Sequence, residues 1–136
     1  MKRRFSRECA FKALFMIDQG NNNQEGALNY VLENTDLASR EHSYCTSIVE
    51  GVMSKEKELD KILSDHLVNW QFARIAATVR SILRLALYEM LYDESIPPLV
   101  SINEAIELAK KYQGHEAARF VNGILDKIRK SSVKDD

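Results

Sequence analysis

The stretch Ile75–Tyr92, IAATVRSILRLALYEMLY, decides the fold. Val79, Ile82, Leu83, Leu85, Ala86, Leu87, Met90 and Leu91 recur at helical spacing and cover most of its circumference. A helix that is apolar nearly all round is packed on several sides. The rest of the chain must therefore supply the elements that surround it. No stretch alternates convincingly at period two, and only 5 Gly and 2 Pro are present, so long helices are expected around the central one.

Working outward, a first helix is expected from about Ser6 to Gln19, with Cys9, Ala10, Ala13, Leu14 and Ile17 on one face. Gly20 and Asn21-Asn22-Asn23 end it, and an amphipathic segment follows from Gln24 to Glu33. Ser39 is a candidate N-cap for a helix carrying Tyr44, Cys45, Ile48, Val49, Val52 and Met53. Leu59, Ile62, Leu63 and Leu67 mark a shorter helix that ends before Trp70. Beyond the central helix, Pro97-Pro98 stops the chain, and Ser101-Ile102-Asn103-Glu104 reads as a capping box. The helix it opens turns Ile102, Ala105, Ile106 and Ala109 inward and Glu104, Glu107, Lys110 and Lys111 outward. Gly114 is the expected C′ residue, and a last helix runs from about Glu116 to Ser131, followed by a polar tail from Ser132 to Asp136. The expectation is an all-α, single-domain bundle of about seven helices over residues 1–136, with short connections that make neighbours antiparallel.

Chemistry is sparse. There is no P-loop, G-x-G-x-x-G, G-x-S-x-G or H-E-x-x-H pattern. Cys9 and Cys45 fall on apolar helical positions, and His42, His66 and His115 are scattered, so no metal site, disulfide or cofactor is expected. Glu104 and Glu107 lack a histidine at i+3 and read as a solvated face. The expectation is a protein without enzymatic activity. No apolar run approaches the roughly 20 residues that span a bilayer, and the start lacks a signal-peptide pattern, which together point to the cytoplasm.

Binding is the class that remains. The net charge of −1 hides a basic start, where Lys2, Arg3, Arg4, Arg7 and Lys12 face one acid, Glu8. Such an arm suits a polyanion, or is simply solvated. Near the other end, RFVNGILDKI (119–128) places an Asn-Gly turn signal inside helical spacing, directly after Arg119-Phe120. An aromatic beside an arginine suits single-stranded RNA, whose bases stack on rings and whose phosphates seek cations. A buried Phe120 is the alternative. Gly123 costs about 1 kcal/mol in a helix, a cost that close approach of another helix or of an RNA backbone would offset.

Four strings in register change this picture. RRFSRECAFKALFMID (3–18), NWQFARIAATVRSILRLALYEM (69–90), PPLVSINEAIELAKKYQ (97–113) and ARFVNGILDKI (118–128) resemble the NusB transcription antitermination family. The resemblance implies a seven-helix fold and a bacterial, cytoplasmic, non-catalytic factor. It implies binding of boxA RNA in nascent transcripts, notably ribosomal RNA leaders. It further implies pairing with NusE, a small-subunit ribosomal protein, and work within the RNA polymerase elongation complex with other Nus factors. A homodimer is a further possibility the family raises. By resemblance, Lys2, Arg3, Arg4 and Arg7 contact phosphates, and Phe120 lies at the RNA surface bordered by Glu116, Arg119 and Asn122. Phe15, Val79 and Arg80 would meet NusE; relatives often carry an acid where Val79 stands, which shifts that contact towards apolar packing. Arg84 and Glu89 are expected to satisfy neighbours near the core, and Trp70 to pack, with a stacking surface beside His66 as its alternative. The rival reading of the whole is a protein-only helical adaptor of the elongation complex.

Overall fold

The computed structural model describes residues 2–20, 23–36, 39–69 and 71–133. Trp70, residues 134–136 and the side chains of Lys2, Ser39, Ser132 and Val133 lie outside what is described, and with them the readings made for those groups, the polar tail included. Among the described residues there are seven α-helices and no strand: α1 Lys2–Asp18, α2 Gln24–Glu33, α3 Ser39–Ser54, α4 Glu56–Asp65, α5 Ala77–Tyr92, α6 Pro98–Tyr112 and α7 His115–Val133. A 3-10 turn, Phe72–Arg74, leads into α5.

The expected centre is the observed one. α5 packs against α1, α3, α4, α6 and α7, and every residue from Ser81 to Leu87 is buried. One contiguous core joins Ile82, Leu83 and Leu87 of α5 to Ala10 and Leu14 of α1, Val49 and Val52 of α3, and Val121 and Leu125 of α7. α3 passes close to α5 at Gly51, where a Cβ would overlap the ring of Tyr88. α2 occupies the expected span because its cap is local: the Asn23 side chain accepts from the Gly26 amide at 2.7 Å. Gly114, at φ +108°, closes α6 as expected, its amide donating to the Ala109 carbonyl.

Two boundaries differ from expectation. α1 begins at Lys2, so the basic arm is itself a helical turn. α6 begins at Pro98, not after Ser101, and Ser101 is no cap. Proline suits the first helical position, where its missing N–H has no intrahelical acceptor anyway. Ser101 instead lies buried one turn inside the helix, and its hydroxyl donates to Glu89 at 3.0 Å. Glu104 turns towards α1 rather than wholly outward.

Candidate nucleic-acid interface

The arginines at the start of α1 are largely spoken for. Arg3 lies 3.3 Å from Glu41 of α3 and 3.7 Å above the ring of Tyr44. Arg4 forks onto Glu104 of α6 through Nε and Nη2, both at 2.9 Å. Arg3 and Arg4 keep side-chain exposures of 45% and 58%, which leaves them open to a competing phosphate. Arg7 is different. Its Nε donates to both oxygens of Glu89, at 2.8 and 3.0 Å, in a site where its side chain is 6% exposed and that of Glu89 0%. Tyr44 at 2.5 Å and Ser101 at 3.0 Å complete the shell of Glu89, and burial, together with the hydrogen bond to Glu89, pushes the Tyr44 hydroxyl pKa up. The expected phosphate contact at Arg7 is therefore corrected to a core ion pair, because removing it would leave Glu89 charged in a dry site.

The α7 face offers the opposite situation. Phe120 is half-buried against the core and has a concavity on either side. One, of about 470 Å³, is lined by Arg74, Ile75, Val79, Glu116 and Ala117. The other, of about 330 Å³, is lined by His66, Val68, Arg119, Gly123 and Lys127. Arg74 and Arg119 are both exposed, and neither has an ion pair or hydrogen-bonding partner for its side chain among the described residues. Most other arginines are committed to carboxylates; these two, one in each concavity, are not. Gly123 is exposed, and a Cβ there would meet nothing within 4 Å. The close helix approach offered as one reason for this glycine is therefore not found among the described residues.

Asn122 stands at the edge of this surface. Two residues along a helix turn through about 200°, so Asn122 points away from the Phe120 ring and lines neither concavity. It is the i+3 neighbour of Arg119 and flanks the face on that side. Conversely, Arg74 lines this surface although neither the helical spacing nor the family resemblance points to it. Its sequence signal is the absence of any acid within four residues on either side, which denies it a local partner. Lys127 borders the second concavity and reaches the His66 carbonyl at 3.3 Å, joining α7 to the end of α4.

The three residues expected to meet a protein partner separate. Phe15 lines an apolar groove of about 520 Å³ with Phe11, Met16, Tyr30, Val31 and Tyr112, and Tyr30 is 58% exposed. Val79 is buried and faces the Phe120 concavity instead. Arg80 turns inward: Nη1 donates to the carbonyls of Ala73 and Ile75, and Nη2 to Asp18 at 2.6 Å. Arg84 also pairs with Asp18, at 3.0 Å, and with Asp60 at 2.8 Å. Phe15 thus borders the open apolar groove, whereas Val79 and Arg80 are taken up elsewhere in the bundle. The physical reason is that α5 is central, so its residues are used up by neighbours.

No group of three or more His, Cys, Asp or Glu is arranged to hold a metal ion among the described residues, and none of their helices is long and apolar enough to cross a membrane. Compared with known proteins, residues 4–130 match the profile of the NusB family. The chain belongs to the NusB family. The transcription antitermination protein NusB of Bacillus subtilis strain 168 is 46% identical over 129 residues, which cover 95% of each chain. Thermotoga maritima NusB is 34% identical and superposes with a TM-score of 0.87, covering 96% of this chain and 92% of that one. A chain in a crystal structure of the antitermination factors NusB and NusE with double-stranded RNA is 28% identical. Its TM-score is 0.88, with 96% and 97% of the two chains covered. The seven helices are thus those of the NusB fold.

Proposed function

We propose that this NusB-family chain, working as one domain over residues 1–136, is a non-catalytic antitermination factor that binds boxA RNA of nascent transcripts together with NusE. The observation that carries the reading is the pair of uncommitted guanidinium groups, Arg74 and Arg119, on either side of the half-buried Phe120 ring. Guanidinium groups that no carboxylate neutralises can meet a phosphate or a base edge, and the ring gives a base a face to stack on. A related chain crystallised with NusE and double-stranded RNA supports the same partners.

In this reading Arg119 and Phe120 form the centre of the RNA surface, and Glu116 borders it. Lys2, Arg3 and Arg4 supply phosphate contacts at its periphery, where Arg3 and Arg4 must exchange a carboxylate for a phosphate. The groove beside Phe15 takes an apolar surface of NusE. The complex acts in the bacterial cytoplasm, on RNA polymerase with other Nus factors.

Titration of labelled boxA RNA with the protein alone, then with NusE added, tests this at several salt concentrations. Salt-sensitive binding that strengthens with NusE is expected. Absence of an RNA shift under both conditions would leave the protein-only adaptor.

A further inference from the structure

We propose that the concavity on the Val79 side of Phe120 is a guanine-reading subsite, in which Arg74 and Glu116 recognise the edge of one unstacked base. This rests on the RNA-binding reading above and goes beyond it by assigning sequence discrimination to this chain.

The cavity has the composition of a base pocket. Ile75, Val79 and Ala117 give it apolar walls, Phe120 gives it an aromatic one, and Arg74 and Glu116 bring opposite charges to its rim. A carboxylate and a guanidinium beside the same cavity would ordinarily pair. Here they do not, and neither side chain has another partner among the described residues. A fork of donors and a pair of acceptors therefore both stand unused at one mouth.

Guanine answers both groups. Its O6 and N7 accept the two parallel bonds of an arginine, and its N1–H and N2–H donate to a carboxylate. Adenine offers one acceptor beside its amine, and uracil has no amine, so each leaves part of the site unsatisfied. Arg74 and Glu116 are both exposed and hydrated without a ligand, so the discrimination expected is that of the bidentate contacts a guanine edge completes and the other bases do not.

Arg80 is the positioning residue. Its guanidinium donates to the carbonyls of Ala73 and Ile75, the two residues that flank Arg74, and Asp18 of α1 holds it from behind. The backbone carrying Arg74 is thereby fixed before any ligand arrives, which lowers the ordering cost of binding.

The test uses the full chain with NusE present and a uridine-rich RNA in which one guanosine is moved through every position. At one position guanosine should bind about tenfold more tightly than adenosine, as expected for one bidentate base contact. Inosine, which lacks the exocyclic amine, and 7-deazaguanosine, which lacks N7, should each lose most of that gain. Glu116→Ala should erase the difference between guanosine and inosine. Arg74→Ala should erase the difference between guanosine and 7-deazaguanosine. Arg80→Lys should lower the preference while leaving the affinity for all-uridine RNA unchanged. Equal affinity at every position overturns the subsite. So does an Arg74→Ala variant that weakens all RNAs alike and flattens the salt dependence, because Arg74 would then be a phosphate contact. If no RNA binds even with NusE, the RNA reading itself falls as well.

Discussion

Arg7 and Glu89 form a two-pronged ion pair inside the bundle, with Nε 2.8 Å from one carboxylate oxygen and 3.0 Å from the other. Tyr44 and Ser101 donate to the same carboxylate, so a single side chain on α5 ties α1, α3 and α6 together. The arrangement separates the arginines of α1 by role: Arg7 holds the fold, whereas Arg3 and Arg4 remain partly open to solvent.

Breaking a buried pair leaves an uncompensated charge, which costs about 3–5 kcal/mol. Arg7→Ala should lose that much stability in urea unfolding, with Glu89→Gln also destabilised. An Arg7→Ala protein as stable as its parent but defective with RNA would return Arg7 to the phosphate-binding set.

Phe120→Ala should weaken RNA binding by the worth of one stacked base, about 1–3 kcal/mol, with little change in salt slope. Because Phe120 also packs on the core, Phe120→Leu is the informative companion. It keeps apolar packing but has no ring. Leucine should retain the melting temperature and still lose affinity; wild-type affinity in that variant would rule out stacking.

Counterion release gives a separate readout for the cations. Each phosphate contact on single-stranded RNA contributes about 0.7 to the slope of log affinity against log salt. Arg119→Ala should lower the slope by that amount. Glu104→Gln removes the carboxylate that Arg4 must leave to reach a phosphate and should strengthen binding with little change in slope. An unchanged slope in Arg119→Ala and an unchanged affinity in Glu104→Gln would move the phosphate path elsewhere.

Glu8 links α1 to α6. Burial pushes its carboxyl pKa up, but hydrogen bonds from Lys111 at 2.6 Å and from Tyr112 hold it below the ordinary glutamate value. Protons then bind more readily to the unfolded chain, so this stabilisation is complete above about pH 4.3 and is lost as the pH falls through the folded value. Glu8→Gln should therefore flatten the loss of stability between neutral and acid pH in thermal melts. An identical pH profile for parent and variant would show that the contact contributes nothing.

Much of the fold is legible because the relevant forces act along the chain. The run of buried positions from Ser81 to Leu87 follows from apolar residues on every side of α5, and α2 starts where Asn23 can cap it. Pro97-Pro98 shows where local reading misleads: the same pair that ends one segment begins the next helix, which moves Ser101 from cap to core. The face carrying Arg119 and Phe120 is also readable, and the same 100° step turns Asn122 away from the ring.

The sequence by itself determined the helices, the central place of α5 and the family, since hydrophobic period and local motifs depend on residues a few positions apart. Only the tertiary structure decided which charges are free. Arg4 meets its carboxylate 100 residues away and Arg7 meets its own 82 residues away. Arg74 and Arg119 meet none among the described residues. Electrostatic pairing depends on distance in space, and folding sets those distances with no trace in local spacing.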